Sequence, residues 1–227
     1  MFRFLVALPL VAALLGEARA QDTVDIGVIK NSDVTVVQKL LFPKKDRTEL
    51  GLHVGVMPFD AFLFTPNLQF SFDMHQNERL GISVLAGGGY GIKNGAYQRL
   101  DSPTYGVAVD AYRYLASLLA GVEYAPVYAK AMIGGARIVH YDVYGVARAG
   151  ATLEQSVIPK GGFTVAPTLS LGIGSRVFVG ERAAVRIELR DDMMGERRSL
   201  TSSTHFKQNI GITVGYTLLS PVKQRQR

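Results

Sequence analysis

The stretch that decides the fold runs from Phe62 to His75 and reads FLFTPNLQFSFDMH. Starting at Phe62, every second residue is apolar, and the residues between are polar apart from Leu63. Because the side chains of a β-strand point alternately to its two faces, this stretch predicts a strand with one apolar and one polar face. It is long for a soluble strand, and it fits a tilted membrane strand of about 9–11 residues with its flanks.

The same alternation recurs along the chain and predicts eight strands. Residues 92–117, which contain Asn94-Gly95 and Ser102-Pro103, are interpreted as a large loop, and residues 127–142 are the least regular part of the body. The predicted strands are Arg47–Val56, Phe62–His75, Arg79–Gly91, Leu118–Pro126, Val143–Thr152, Phe163–Val177, Ala183–Met193 and Phe206–Leu218.

The composition agrees with hydrophobicity that is spread thinly along the chain. Of the 227 residues 48% are hydrophobic and 19% charged, and the mean hydropathy is +0.14. No uninterrupted stretch approaches the ~18 apolar residues that a membrane helix needs. The chain has no Cys, which excludes disulfides, thiol nucleophiles and thiolate metal sites.

The first residues have the pattern of a cleavable signal peptide. Met1–Arg3 is basic, Phe4–Leu15 is apolar, and Ala18-Arg19-Ala20 offers the small residues at which signal peptidase cuts. We therefore expect an exported protein with four parts. They are a signal peptide (1–20), an N-terminal periplasmic, plug or docking segment (21–46), a β-barrel (47–218) and a basic C-terminal tail (219–227).

The strands of soluble β-sandwiches and lipocalin-like barrels also alternate between apolar and polar residues. The lengths of the connections between strands are therefore needed to distinguish them from a membrane barrel. The connections between predicted strands alternate in length: short turns at 76–78 and 180–182 alternate with long loops at 92–117 and 195–204. Outer-membrane barrels have short periplasmic turns and longer external loops, and an even number of strands lets the sheet close. Two links fit less well: Met57–Ala61 is short for an external loop, and 127–142 is long for a periplasmic one.

The last predicted strand contains a pattern like the signal that the outer-membrane insertion machinery recognises. Its polar, Gly, hydrophobic and aromatic positions are Asn209, Gly211, Val214 and Tyr216. Partners expected from these features are outer-membrane lipid, the insertion machinery and other envelope proteins, in an oligomeric state that the sequence does not define.

Charged residues in mid-strand predict a network inside the barrel. An eight-stranded barrel is only just wide enough for its own side chains, so acids and bases within it should pair. We expect a salt-bridge plug formed by Glu49, Glu123, Arg186, Glu188 and Arg190.

Other chemistry has little support in the sequence. The His residues at 53, 75, 140 and 205 lack metal-ligand spacing, and Ser202, Ser203 and His205 form a possible nucleophile–base group without an identifiable carboxylate. No catalytic residue, metal or other cofactor is predicted. Nucleic-acid binding is not expected either, because the basic residues are scattered apart from Lys223–Arg227.

Four segments give the chain a family resemblance: LFPKKDRTELG (41–51), YAPVYAK (124–130), HYDVY (140–144) and AVRIELRD (184–191). In this order they resemble an outer-membrane β-barrel domain family common in myxobacteria and related δ-proteobacteria. The resemblance implies a small barrel similar to the transmembrane domain of outer-membrane protein A, and it carries over no catalytic residue. It also implies that some relatives are parts of envelope-spanning machines such as gliding-motility complexes.

The sequence thus predicts a non-enzymatic barrel of the bacterial outer membrane that anchors or scaffolds an envelope assembly. A small gated pore is the first alternative, and a lipid-modifying enzyme is the second.

Overall fold

In a computed structural model, residues 42–107, 109–133, 137–158, 162–197 and 203–221 are described. The predicted signal peptide, residues 21–41 and the end of the basic tail lie outside these ranges. The strands are β1 (Thr48–Met57), β2 (Leu63–His75), β3 (Leu80–Gly89), β4 (Ile92–Lys93), β5 (Tyr112–Ile133), β6 (Arg137–Ser156), β7 (Phe163–Phe178), β8 (Ala183–Arg197) and β9 (Thr204–Leu219). One short helix, α1, covers Gly95–Leu100 in the described part of the chain.

Eight of these strands form a closed antiparallel ring, with β4 as a two-residue addition to β2. Each strand pairs with the next in the ring, and β1 closes it by pairing with both β2 and β9. Closure matters because a strand in lipid cannot leave backbone N–H and C=O groups unpaired. The predicted eight-stranded antiparallel barrel is confirmed.

The distribution of polar and apolar side chains is the reverse of that in a soluble domain: polar side chains are buried and apolar ones are exposed. Along β2, burial alternates residue by residue: Gln69 and Asp73 are buried, whereas the Phe70 and Phe72 side chains are 60% and 40% exposed. The other strands repeat this arrangement, with Leu52, Val122, Ile173 and Val214 among the exposed apolar residues. Apolar side chains therefore cover the outer surface, where lipid would surround them, and polar side chains fill the lumen. None of the helices in the described ranges is long and apolar enough to cross a membrane.

One end of the barrel carries the short turns at 76–79 and 179–182 together with the start of β1 and the end of β9; we call it the turn end. Here residues Phe42–Arg47 contact the ends of the strands. The Lys44 ammonium forms a buried ion pair with Asp142, and the Arg47 guanidinium donates to the backbone oxygens of Pro43, Glu181 and Ser220.

The prediction for residues 127–142 was wrong. These residues are not an irregular link: β5 and β6 continue through them as a long hairpin, and β6 is also longer than the predicted Val143–Thr152. A register shift between Tyr124 and Val127 interrupts the alternation, which is why the sequence pattern fades there. The hairpin also runs past the last residue of β5 that pairs with β3, at the turn end.

At the opposite end, which we call the loop end, a second prediction was wrong. Residues 92–117 are not one loop, because they contain β4, α1 and the first residues of β5. Asn94 caps α1 by accepting a hydrogen bond from the Tyr97 N–H at 3.0 Å. Tyr97 is buried against Leu63, Val109 and Ala111, so the helix covers part of this end. Pro66 and Pro167 lie near the loop end of β2 and β7, and the register shows no bulge at either.

Candidate functional site: the barrel lumen

Arg176 on β7 is the centre of the charge layer nearest the turn end. Its fully buried guanidinium donates to Glu49 at 3.1 Å, to Glu123 at 2.7 Å and to Asp142 at 2.9 Å. Asp142 also forms an ion pair with the Lys44 ammonium, so the segment Phe42–Arg47 contacts the same charge layer. A buried charge is stable only when it is paired and hydrogen-bonded, and each nitrogen of this guanidinium has an acidic partner.

Arg186 on β8 forms the adjacent layer. Its guanidinium lies 2.6 Å from Asp73, 2.8 Å from Glu123 and 3.5 Å from Glu49. Glu123 and Glu49 thus bridge Arg186 to Arg176, and His75 adds a contact of 2.9 Å to Glu49. The three acidic partners of Arg186 lie on strands that are not neighbours of β8, so these ion pairs cross the lumen of the ring.

A third layer centres on Glu188. Arg148 donates to both of its carboxylate oxygens, at 2.8 and 3.4 Å, and the Tyr144 hydroxyl donates to it at 3.1 Å. The same Tyr144 hydroxyl accepts a hydrogen bond from Arg186 at 3.1 Å, which links this layer to the one below. The Tyr144 ring lies 4.5 Å from the Arg186 guanidinium carbon, close enough for a cation–π contact.

Arg190 lies further towards the loop end and outside this network. It donates to Gln69 at 2.7 Å and lies 3.2 Å from Asp192. Asp192 in turn accepts from Ser170. Among the described residues, no hydrogen bond or ion pair joins Arg190 or Asp192 to Glu49, Glu123 or Glu188, so the two form a separate polar layer.

The structure therefore brings four of the residues expected from the sequence, Glu49, Glu123, Arg186 and Glu188, into one network and places Arg190 apart from it. Sequence reasoning missed Arg176, Arg148, Asp142 and Lys44. Arg176 stood on the polar face of its predicted strand, so its alternation could have identified it. Arg148 lay in a strand of small residues without a clear apolar face, and Asp142 lay in the segment interpreted as irregular.

The network fills the lumen with buried side chains, Arg148, Arg186 and Glu188 among them. The space bordered by His53, Ser71, Arg148 and Glu188 has no room for a water molecule. His53 hydrogen-bonds Ser71 at 2.9 Å, and Arg148 donates to Ser83 at 3.0 Å, so neutral polar side chains fill the gaps between the ion pairs.

The remaining candidate residues lie elsewhere. Asn209 and Gly211 face the lumen from β9, whereas Val214 and Tyr216 are exposed on its outer face. Ser203 and His205 are hydrogen-bonded at 2.7 Å at the exposed loop end, and Ser202 lies outside the described residues. Within the described ranges, no group of three or more His, Cys, Asp or Glu side chains is arranged to hold a metal ion.

A closed ring, an apolar outer surface and a charged, filled lumen define a transmembrane β-barrel of the bacterial outer membrane. No protein-family model matches the chain, and no curated protein matches it.

Solved structures with a similar fold include three outer-membrane proteins. OprG of Pseudomonas aeruginosa is 9% identical, with a TM-score of 0.46, over 81% of this chain and 100% of that chain. The N-terminal β-barrel domain of OprF from the same organism is also 9% identical, with a TM-score of 0.44, over 78% and 98%. The attachment invasion locus protein Ail of Yersinia pestis is 10% identical, with a TM-score of 0.42, over 78% and 99%.

Proposed function

We propose that this protein is a non-enzymatic barrel that anchors or scaffolds an assembly of the bacterial envelope. The observation that carries the proposal is the β5–β6 hairpin. Residues 127–133 of β5 pair with β6 but have no partner strand on their other side among the described residues. Since outer-membrane barrels have their short turns in the periplasm, the turn end and its hairpin face that compartment.

The exposed edge of β5 suits a partner that binds by strand addition. Unpaired N–H and C=O groups on a strand edge are a template for an extended segment of another chain. We commit to a periplasmic segment of an envelope protein as that partner. Lys130 is exposed on the same strand and favours a segment that carries acidic residues.

The closed lumen supports an anchoring role over transport. Ion pairs that join opposite walls make the barrel a rigid body, to which a periplasmic assembly could be fastened without opening a path through the membrane. The resemblance to the barrel family of myxobacteria and related δ-proteobacteria supports the same role, because some of its members are implied to be parts of envelope-spanning machines.

Site-specific crosslinking in intact cells tests the proposal. A photoreactive amino acid at Val127, which is 47% exposed at the hairpin, should give a discrete adduct with a periplasmic protein. The same amino acid at Tyr105, which is 66% exposed at the loop end, is the control and should not give this adduct.

A shortened hairpin provides the matched loss of function. Replacing residues 132–138 by Asn-Gly joins the paired residues Ala131 and Val139 through a two-residue turn and leaves the ring intact. The variant should still fold and insert, but the adduct at Val127 should weaken strongly. An adduct that is unchanged by the shortening, or that forms equally from Tyr105, would contradict the anchor proposal.

A further inference from the structure

Two polar side chains, Asp191 on β8 and Gln208 on β9, lie on the outer face of the barrel. Burial alternates along both strands, and the two residues are in phase with the exposed Leu189 and Ile210, not with the buried residues of the lumen. The Gln208 amide donates a hydrogen bond to the Asp191 carboxylate at 2.9 Å. Outward residues of a membrane barrel contact lipid, so this pair lies where apolar side chains are expected.

The apolar outer surface continues on both sides of this pair. Towards the turn end, Ile210 and Ile212 are exposed on β9. Towards the loop end, Phe206 is 55% exposed on β9 and Val165 is 64% exposed on β7. Polar groups within an apolar membrane band are costly, and they commonly mark functional positions where a partner satisfies them. The pair therefore indicates that this side of the barrel contacts something other than hydrocarbon chains.

A hollow of about 300 Å³ in the outer surface adjoins the pair. Asp191 and the apolar side chains of Leu171, Ile173, Leu189 and Ile210 border it. Association within a membrane is driven by close packing and by hydrogen bonds between the partners, because lipid is as apolar as the surfaces that meet. The hollow offers room for an apolar side chain of a neighbouring protein, and the polar pair offers the hydrogen bonds.

We propose that β8 and β9 form the interface of a homodimer in the plane of the membrane, with Gln208 beside its two-fold axis. An amide has two N–H donors and one carbonyl acceptor, and the contact with Asp191 uses one of the donors. Two such amides on either side of a two-fold axis exchange reciprocal N–H···O hydrogen bonds. Within each copy, the Asp191 carboxylate orients the amide for this exchange.

The depth of the pair in the membrane favours a second copy as the partner. Two identical barrels inserted in the same direction are related by an axis along the membrane normal, and two-fold dimers are the commonest oligomers. A residue beside that axis meets its own counterpart at the same depth. The second copy therefore always presents an amide at the level of Gln208, whereas lipid chains at that level have neither donor nor acceptor.

Energy transfer between labelled copies of the refolded full-length protein in lipid vesicles measures the association. The chain has no Cys, so Tyr105→Cys at the exposed loop end attaches one dye to each copy. Transfer from donor-labelled to acceptor-labelled copies should rise with the protein-to-lipid ratio and saturate as an equilibrium between monomer and dimer requires. Transfer no larger than that of randomly placed monomers overturns the inference.

Substitutions of the polar pair identify the interface. Gln208→Leu should weaken dimerisation about tenfold, the combined effect of two hydrogen bonds of the strength measured between membrane segments. Asp191→Leu should weaken it by a smaller factor, because the amide remains but loses the carboxylate that orients it. Gln155→Leu makes the same exchange on the outward face of β6 and should leave the association unchanged.

Heat-dependent gel mobility establishes that each variant is folded before its association is measured. If neither Gln208→Leu nor Asp191→Leu weakens dimerisation more than Gln155→Leu does, the polar pair is not at the interface and the inference is overturned.

Photocrosslinking in intact cells distinguishes a second copy from other occupants of this face. A photoreactive amino acid at Ile210, which pairs with Asp191, should give an adduct of twice the mass of the chain. The same amino acid at Val122 is the control, because β5 lies four strands from β9 in either direction around the ring. Adducts of Ile210 with a different protein or with glycolipid alone, or a doubled mass that forms equally from Val122, would overturn the inference.

Discussion

The Arg186 guanidinium on β8 meets the Glu123 carboxylate on β5 across the lumen, with Nη2 and Oε2 2.8 Å apart. Two strands, β6 and β7, separate them on that side of the ring, so the contact holds together walls that share no backbone hydrogen bond. The closed lumen depends on contacts of this kind.

Removing Arg186 should destabilise the barrel strongly. Arg186→Met leaves Asp73 and part of the charge of Glu123 uncompensated in a buried site, and we expect a loss of about 3–5 kcal/mol in the free energy of unfolding. Urea unfolding in lipid vesicles measures it. Arg182→Met, at an exposed turn position, is the control. A loss no larger than that of the control would show that the cross-lumen network contributes little.

The sequence predicted the ring better than it predicted the site. Strict alternation identified β2, β7 and β9 because lipid on one side and a packed polar lumen on the other constrain every residue. It failed between Tyr124 and Val143, where a register shift changes the phase of the alternation. The pairing partners in the lumen could not be predicted, because alternation gives the face of Arg176 or Arg148 but not its height relative to acids on distant strands.

The closed lumen predicts that the purified protein does not conduct. In planar bilayers we expect no steady channels, because buried, ion-paired side chains such as Arg148, Arg186 and Glu188 fill the lumen. Truncation of both Arg176 and Arg186 to Ala should create space and raise the conductance, provided that the variant still inserts. Steady channels from the unaltered protein would favour the gated pore instead.

Position 215 is expected to require glycine, because the His53 ring leaves no space for a side chain there. A Cβ atom on Gly215 would lie 2.0 Å from His53 Nδ1, so Gly215→Ala must displace a ring that is hydrogen-bonded to Ser71. We expect a loss of about 1–3 kcal/mol in unfolding free energy, typical of overpacking. Gly145→Ala is the control, since its nearest contact would be at 3.9 Å. The double variant His53→Ala/Gly215→Ala should recover stability; a lack of recovery would exclude this steric cause.

The hydrogen-bonded pair Ser203 and His205 should not act as a hydrolase. It lies at the exposed loop end of the barrel, and the proposed function is non-enzymatic. We expect no lipase or deacylase activity above a detergent blank, and no difference between the unaltered protein and Ser203→Ala or His205→Ala. Hydrolysis that disappears in both variants would contradict the non-enzymatic proposal.

Tyr216 provides a test of the predicted insertion signal on β9. Its ring is 51% exposed on the outer face, as is that of Tyr124 on β5 at 44%, so both should contribute similarly to contact with lipid. If the pattern of Asn209, Gly211, Val214 and Tyr216 is recognised during assembly, Tyr216→Ala should slow insertion by purified insertion machinery in liposomes, whereas Tyr124→Ala should not. Heat-dependent gel mobility followed over time measures the rate. Tyr216 belongs to the proposed signal and Tyr124 does not. Equal slowing of insertion by both variants would therefore mean that the Tyr216 ring acts only through contact with lipid.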